Sequence, residues 1–88
     1  MSQKHLKQYI EQINFTARIF GRGLLDIHTL TQADADQICA RIDRDLSPEN
    51  LTCDGELSGA QVRARYAMLL GAADGLKALG FNVQLEEA

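Results

Sequence analysis

The sequence predicts an all-α fold, a small bundle of three main helices with a short turn before the third helix and a short extended C-terminal tail. Apolar residues recur every three or four positions in three long segments, which is the period of a helix. Helix-start signals precede two of these segments, and glycines follow two of them. With 88 residues, 45% hydrophobic and 24% charged, the composition is that of one globular domain over residues 1–88.

The first predicted helix runs from about Ser2 to Phe20. Gly21 and Gly23 end it, because glycine adopts the left-handed conformation of a helix cap at little cost. Its apolar stripe consists of Leu6, Ile10, Ile13, Ala17 and Phe20.

Two large apolar residues of this helix, Phe15 and Ile19, lie off the stripe and next to charged positions. Either the segment from Leu24 to Leu30 folds back over them, or they belong to a contact patch for a partner.

The second predicted helix starts near Thr31, which with Asp34 forms a weak capping box. It has one apolar face, made of Ala35, Ile38, Cys39, Ile42 and Leu46, and one polar face. Pro48 then predicts a single short helical turn. Asp54 and Gly55 predict a tight turn, around which a very small hairpin would be marginal.

The third predicted helix extends from Ser58, in a capping box with Gln61, to Gly80. At roughly 100° per residue its bulky side holds Val62, Tyr66, Leu69, Leu70, Ala73 and Leu76. The opposite side is a strip of small residues, made of Ala60, Ala64, Ala67, Gly71, Gly75 and Ala78. After it, Phe81, Val83 and Leu85 alternate with polar residues, which predicts a strand or an extended tail across the bundle.

The strip of small residues is the main candidate for an interface. Glycine inside a helix costs about 1 kcal/mol relative to alanine, so Gly71 and Gly75 indicate that another backbone comes close. With the other two helices packed on the bulky side, that backbone would belong to a partner. The alternatives are that the C-terminal tail covers the strip, that the Leu24–Leu30 segment does, or that the strip is plain exposed surface.

Charge and cysteine content limit the classes of function. A net charge of −3 with scattered basic residues argues against nucleic acid as a partner. The chain shows neither a secretory signal nor a long apolar segment, so we expect a cytoplasmic location and no membrane contact. In that reducing compartment Cys39 and Cys53 are expected to be free thiols.

The sequence predicts no catalytic, cofactor-binding or metal site. His28 and Cys53 show no spacing typical of nucleophilic catalysis. The acidic positions that begin at Asp43 resemble a calcium loop, but Pro48 and Asp54 stand where that loop needs glycine and a bidentate glutamate. Gly21-Arg22-Gly23 lacks the strand and third glycine of a phosphate-binding loop.

Two function hypotheses follow. The first is a non-enzymatic protein–protein interaction module that binds a protein partner or forms a homodimer through the strip and through Phe15 and Ile19. The alternative is a small nucleic-acid-binding protein that uses Arg41, Arg44, Arg63 and Arg65 of the second and third predicted helices.

Overall fold

A computed structural model describes residues 2–86, without the side chain of Ser2, so residues 1, 87 and 88 of the predicted domain lie outside the described residues. It contains helices α1 (Ser2–Ile19), α2 (Gln32–Leu46), α3 (Pro48–Leu51) and α4 (Gly59–Ala78). Helix accounts for 67% of the structure, and the described residues form no strand. The predicted all-α bundle is confirmed, with α3 as the short turn before the third main helix.

The helix ends follow the local signals in the sequence. Both predicted capping boxes form, Thr31 with Asp34 at the start of α2 and Ser58 with Gln61 at the start of α4. The ends of α1 and α4 are Schellman motifs, in which Gly21 and Gly80 have φ of +67° and +93°. In the first of these, the Arg22 amide donates to the Ala17 carbonyl at 2.7 Å.

The core lies where α1, α2 and the C-terminal half of α4 meet. The apolar stripe predicted for α2 is buried over its whole length. The largest fully buried side chains are Leu6, Ile38, Ile42, Leu69 and Leu76. The first ten residues of α4 contain no buried residue, so this half of the helix extends beyond the core.

The prediction that the other helices pack only on the bulky side of the third helix is wrong. Helix α1 packs across the glycines of α4, and a Cβ atom built on Gly71 would lie 2.6 Å from Cγ of His5. The Gln3 side chain donates to the Gly75 carbonyl at 3.4 Å. Two helices can approach this closely because glycine has no side chain. On the bulky side, Tyr66 was predicted to be buried and is exposed instead.

The C-terminal tail is extended but is not part of a sheet. Its apolar residues Phe81, Val83 and Leu85 are half-buried against the core, as the extended-tail alternative predicts. The Gln32 side chain donates to the Asn82 carbonyl and accepts from the Asn82 amide, both at 3.1 Å. The tail therefore follows α2 and leaves the alanines of α4 uncovered.

The segment between α3 and α4 forms the predicted turn around Asp54 and Gly55, without the marginal hairpin. Cys53, Asp54 and Gly55 have φ of +50°, +57° and +87°, so three consecutive residues adopt the left-handed region. Positive φ at Asp54 and Gly55 is compatible with a hairpin turn, but Leu51 lies in α3 and Cys53 is not extended, so no strand leads into this turn.

Candidate interaction surface

One side of α1 carries exposed residues at helical spacing. Gln8, Gln12, Phe15 and Ile19 follow one another by four, three and four positions, so they lie on one face of the helix. The Gln12 side chain donates to the Met68 sulfur at 3.7 Å. This face of α1 therefore borders α4.

Three exposed alanines of α4, which we call the alanine strip, lie along the same border: Ala60, Ala64 and Ala67. They continue toward the helix start the row to which Gly71 belongs, and Gly71 lies under His5 of α1. The contacts of Gln3 with Gly75 and of Gln12 with Met68 show that α1 and α4 are antiparallel. Phe15 and Ile19 thus lie at the end of the helix pair that carries the alanine strip.

The C-terminal end of α1 exposes an unusual amount of apolar surface. Four large side chains within ten residues are between 52 and 67% exposed, and we call them the apolar patch: Phe15, Ile19, Phe20 and Leu24. Exposed apolar residues that occur singly are common, whereas several large ones within one short segment are typical of an interaction site.

The alternative that the Leu24–Leu30 segment covers Phe15 and Ile19 is wrong. The Asn14 side chain holds this segment, because it donates to the Leu25 carbonyl and accepts from the Leu25 amide, both at 2.8 Å. The segment therefore crosses α1 on the side of Asn14. Phe20, predicted as a core residue, is also exposed, because α1 ends at Ile19 and Phe20 falls in the terminal turn.

The predicted interface residues divide into two groups. Gly75 is buried and Gly71 half-buried, both beneath α1 of the same chain, so the backbone that approaches them is the protein's own. Ala78 is exposed at the C-terminal end of α4, about 21 Å along the helix axis from Ala64. The alanine strip, Phe15 and Ile19 are all exposed at the same end of the α1–α4 pair, and together we call them the outer face.

The four arginines of the alternative hypothesis have different surroundings. Arg41 lines a cavity between α1 and α2, together with Arg22. Arg44 and Arg63 are exposed, whereas Arg65 is half-buried and its Nε atom is buried without a hydrogen-bond partner. No described contact joins the arginines of α2 to those of α4 in a single basic surface.

Two titratable side chains of the core, Cys39 and Tyr9, have raised pKa values because they are buried. Burial raises the pKa of the Cys39 thiol, while Cys53 is exposed, and both cysteines are free. Burial and a 2.7 Å hydrogen bond to Asp45 raise the pKa of Tyr9. Among residues 2–86, no three His, Cys, Asp or Glu side chains lie close enough to hold a metal ion.

None of the described helices is both long and apolar enough to cross a membrane. Comparison of the chain with protein-family models, with curated proteins and with solved structures finds no match. The most distinctive features of the molecular surface are the outer face and the apolar patch.

Proposed function

We propose that this chain is a non-enzymatic protein–protein interaction module that acts in the cytoplasm as an adaptor, inhibitor or regulator. The observation that carries the proposal is the apolar patch, whose four large side chains are more than half exposed within ten residues. Burying such side chains on a partner contributes roughly 25 cal/mol for each Å² of apolar surface removed from water.

The partner we propose is a second copy of this chain. The outer face has bulk on α1, from Phe15 and Ile19, and a shallow surface on α4, from the alanine strip. A twofold axis would place the large side chains of each copy on the alanine strip of the other, so the face is complementary to itself. Symmetric pairs of this kind are the commonest oligomers.

Sedimentation velocity over a range of concentrations tests this proposal. The wild-type protein is expected to shift from monomer to dimer as concentration rises, and Ala64→Glu is expected to remain monomeric. A carboxylate buried in the dimer without a partner costs several kcal/mol. In the monomer the same residue is exposed, where alanine and glutamate differ in helix propensity by only a few tenths of a kcal/mol.

Ala40→Glu is the matched control, because Ala40 is an exposed alanine inside α2. It is expected to dimerise as the wild type does. A wild-type protein that stays monomeric at every concentration would refute self-association, and so would equal dimerisation of Ala64→Glu and Ala40→Glu.

The alternative function, nucleic-acid binding through arginines of α2 and α4, gains no support from the separate surroundings of these arginines. Mobility shift of a random duplex at low and moderate salt examines it directly. A shift that weakens steeply with salt would favour this alternative over the interaction module.

A further inference from the structure

A small cavity lies between the C-terminal half of α1, the segment after it, and α2. Its volume is about 150 Å³. This volume is about that of the enclosed apolar cavities that hold a benzene molecule, but here the cavity is open to solvent on one side and partly polar. Arg22 and Gly23 are exposed at its edge, so a ligand can enter from solvent.

The lining of this cavity combines an apolar floor with positive charge. Ile13, Ala17, Leu25 and Ile38 supply the apolar surface. Arg22 and Arg41 also line the cavity, with Thr16 and Gln37, and no acidic residue does. The carboxylate of Asp45 on α2, one turn beyond Arg41, accepts a hydrogen bond from Tyr9 at 2.7 Å.

The walls of the cavity are fixed by the fold. The Schellman motif at the end of α1 sets the backbone of Arg22. Both hydrogen bonds of the Asn14 side chain hold Leu25 in place. A site that is already formed loses little conformational entropy when a ligand binds.

We propose that this cavity binds a small organic carboxylate with a compact apolar body. The body would fill the space between Ile13 and Ile38, and the carboxylate would pair with Arg22 and Arg41 at the rim. Arginine suits this role because its planar guanidinium can donate two parallel hydrogen bonds to a carboxylate. This ligand site is independent of the proposed self-association.

Titration of the ¹⁵N-labelled protein with sodium benzoate tests the proposal. Benzoate is expected to shift the amide signals of Gly23, Leu25 and Ile38 in a saturable manner. Benzamide, which has the same shape without the charge, is expected to bind about tenfold more weakly, because the charged hydrogen bonds are lost.

Arg41→Gln and Arg22→Gln are each expected to weaken benzoate binding by about tenfold for the same reason. Arg44→Gln is the matched control, because it removes an exposed arginine from the same helix and is expected to leave the affinity unchanged. Circular dichroism of each variant verifies that the fold is intact.

Several results would overturn the proposal: no saturable shift with benzoate, equal affinity for benzoate and benzamide, or equal loss of affinity in Arg44→Gln. Inorganic phosphate competing as well as benzoate would also overturn it, since the apolar floor would then contribute nothing to recognition.

Discussion

At the scale of single residues, Gly71 shows how a local preference gives way to packing. Helix propensity alone favours alanine at this position. The structure places the Cβ and Cγ atoms of His5 within 2.9 and 2.6 Å of the position that an alanine Cβ would occupy. These are the atoms of His5 nearest its backbone, so side-chain rotation alone does not relieve the contact, and α1 would have to move away from α4.

Gly71→Ala is therefore expected to lower the free energy of unfolding by about 1–3 kcal/mol, as overpacking does. Gly59→Ala is the matched control in the same helix, because its new Cβ would meet only Arg63 at 3.5 Å. Urea unfolding measures both variants. In a double-mutant cycle His5→Ala is expected to recover part of the loss at Gly71. If Gly71→Ala were more stable than the wild type, the close packing of α1 on α4 would be wrong.

Tyr9 gives a residue-scale prediction of pH dependence. Burial, and then the hydrogen bond to Asp45, raise the pKa of Tyr9 above its ordinary value of 10.0. The folded protein thus keeps a proton that the unfolded chain releases, so stability falls as pH rises through about 10. The contribution of Tyr9 is fully present below that pH.

Urea unfolding of wild type and Tyr9→Phe between pH 8 and about 11 measures this contribution, because the shared lysine titration cancels in the comparison. The wild type is expected to lose stability more steeply above pH 10.0 than Tyr9→Phe. Parallel slopes for the two proteins would contradict the proposed role of Tyr9.

At the scale of elements, α2 was predictable and α4 only in part. The signals of α2, Thr31 with Asp34 and one clean apolar stripe, are local and do not conflict, so the sequence indicates both its start and its buried face. Helix α4 has apolar or small residues on nearly every side, and only its packing decides which side faces α1. The glycine at position 71 therefore indicates that another backbone comes close, but only the structure shows that this backbone is α1 of the same chain.

Ile42 on α2 provides the corresponding test of an element. It is fully buried, so Ile42→Ala is expected to cost about 2–5 kcal/mol of stability. The exposed Ala40 of the same helix offers Ala40→Gly as a comparison, with an expected cost of about 1 kcal/mol from helix propensity. A loss below that level at Ile42 would mean that α2 is not part of the core.

The candidate sites were less predictable than the elements. Phe15 and Ile19 were identified because they interrupt a periodic stripe, which is visible in sequence. The exposure of Phe20 and Leu24 is not visible in the sequence. It follows from the end of α1 at Ile19 and from the two hydrogen bonds between the Asn14 side chain and the Leu25 backbone. Arg22 and Arg41 lie nineteen positions apart in the sequence. They line the same cavity only because the folded chain places α2 next to the segment that follows α1.

At the scale of the whole molecule, the buried core lies toward one end of the helix bundle. The apolar face of α2 and five residues in the second half of α4 are buried, while the first half of α4 contains no buried residue and the end of α1 exposes Phe15 and Ile19. The exposed end carries the outer face and the apolar patch. The molecule thus separates a stable region from a surface that is available for binding.

The reactivities of the two thiols test which parts of the molecule are buried. Cys53 is exposed and is expected to react rapidly with a thiol reagent, whereas burial and a raised pKa are expected to make Cys39 slow. Mass spectrometry of the labelled protein distinguishes the two sites. Equal rapid labelling would show that α2 is not packed in the core.

The labelling of Cys39 also measures local opening of the C-terminal tail. Asn82 and Gln84 of the tail lie beside Cys39, and the paired amide contacts of Gln32 with Asn82 hold the tail there. When reclosing is faster than labelling, the slow rate at Cys39 divided by the rate of an open thiol gives the equilibrium constant for exposing Cys39. Gln32→Ala is expected to raise that constant without a matching loss of global stability. The labelling rate of Cys39 thereby measures how often the C-terminal tail detaches from an otherwise folded protein.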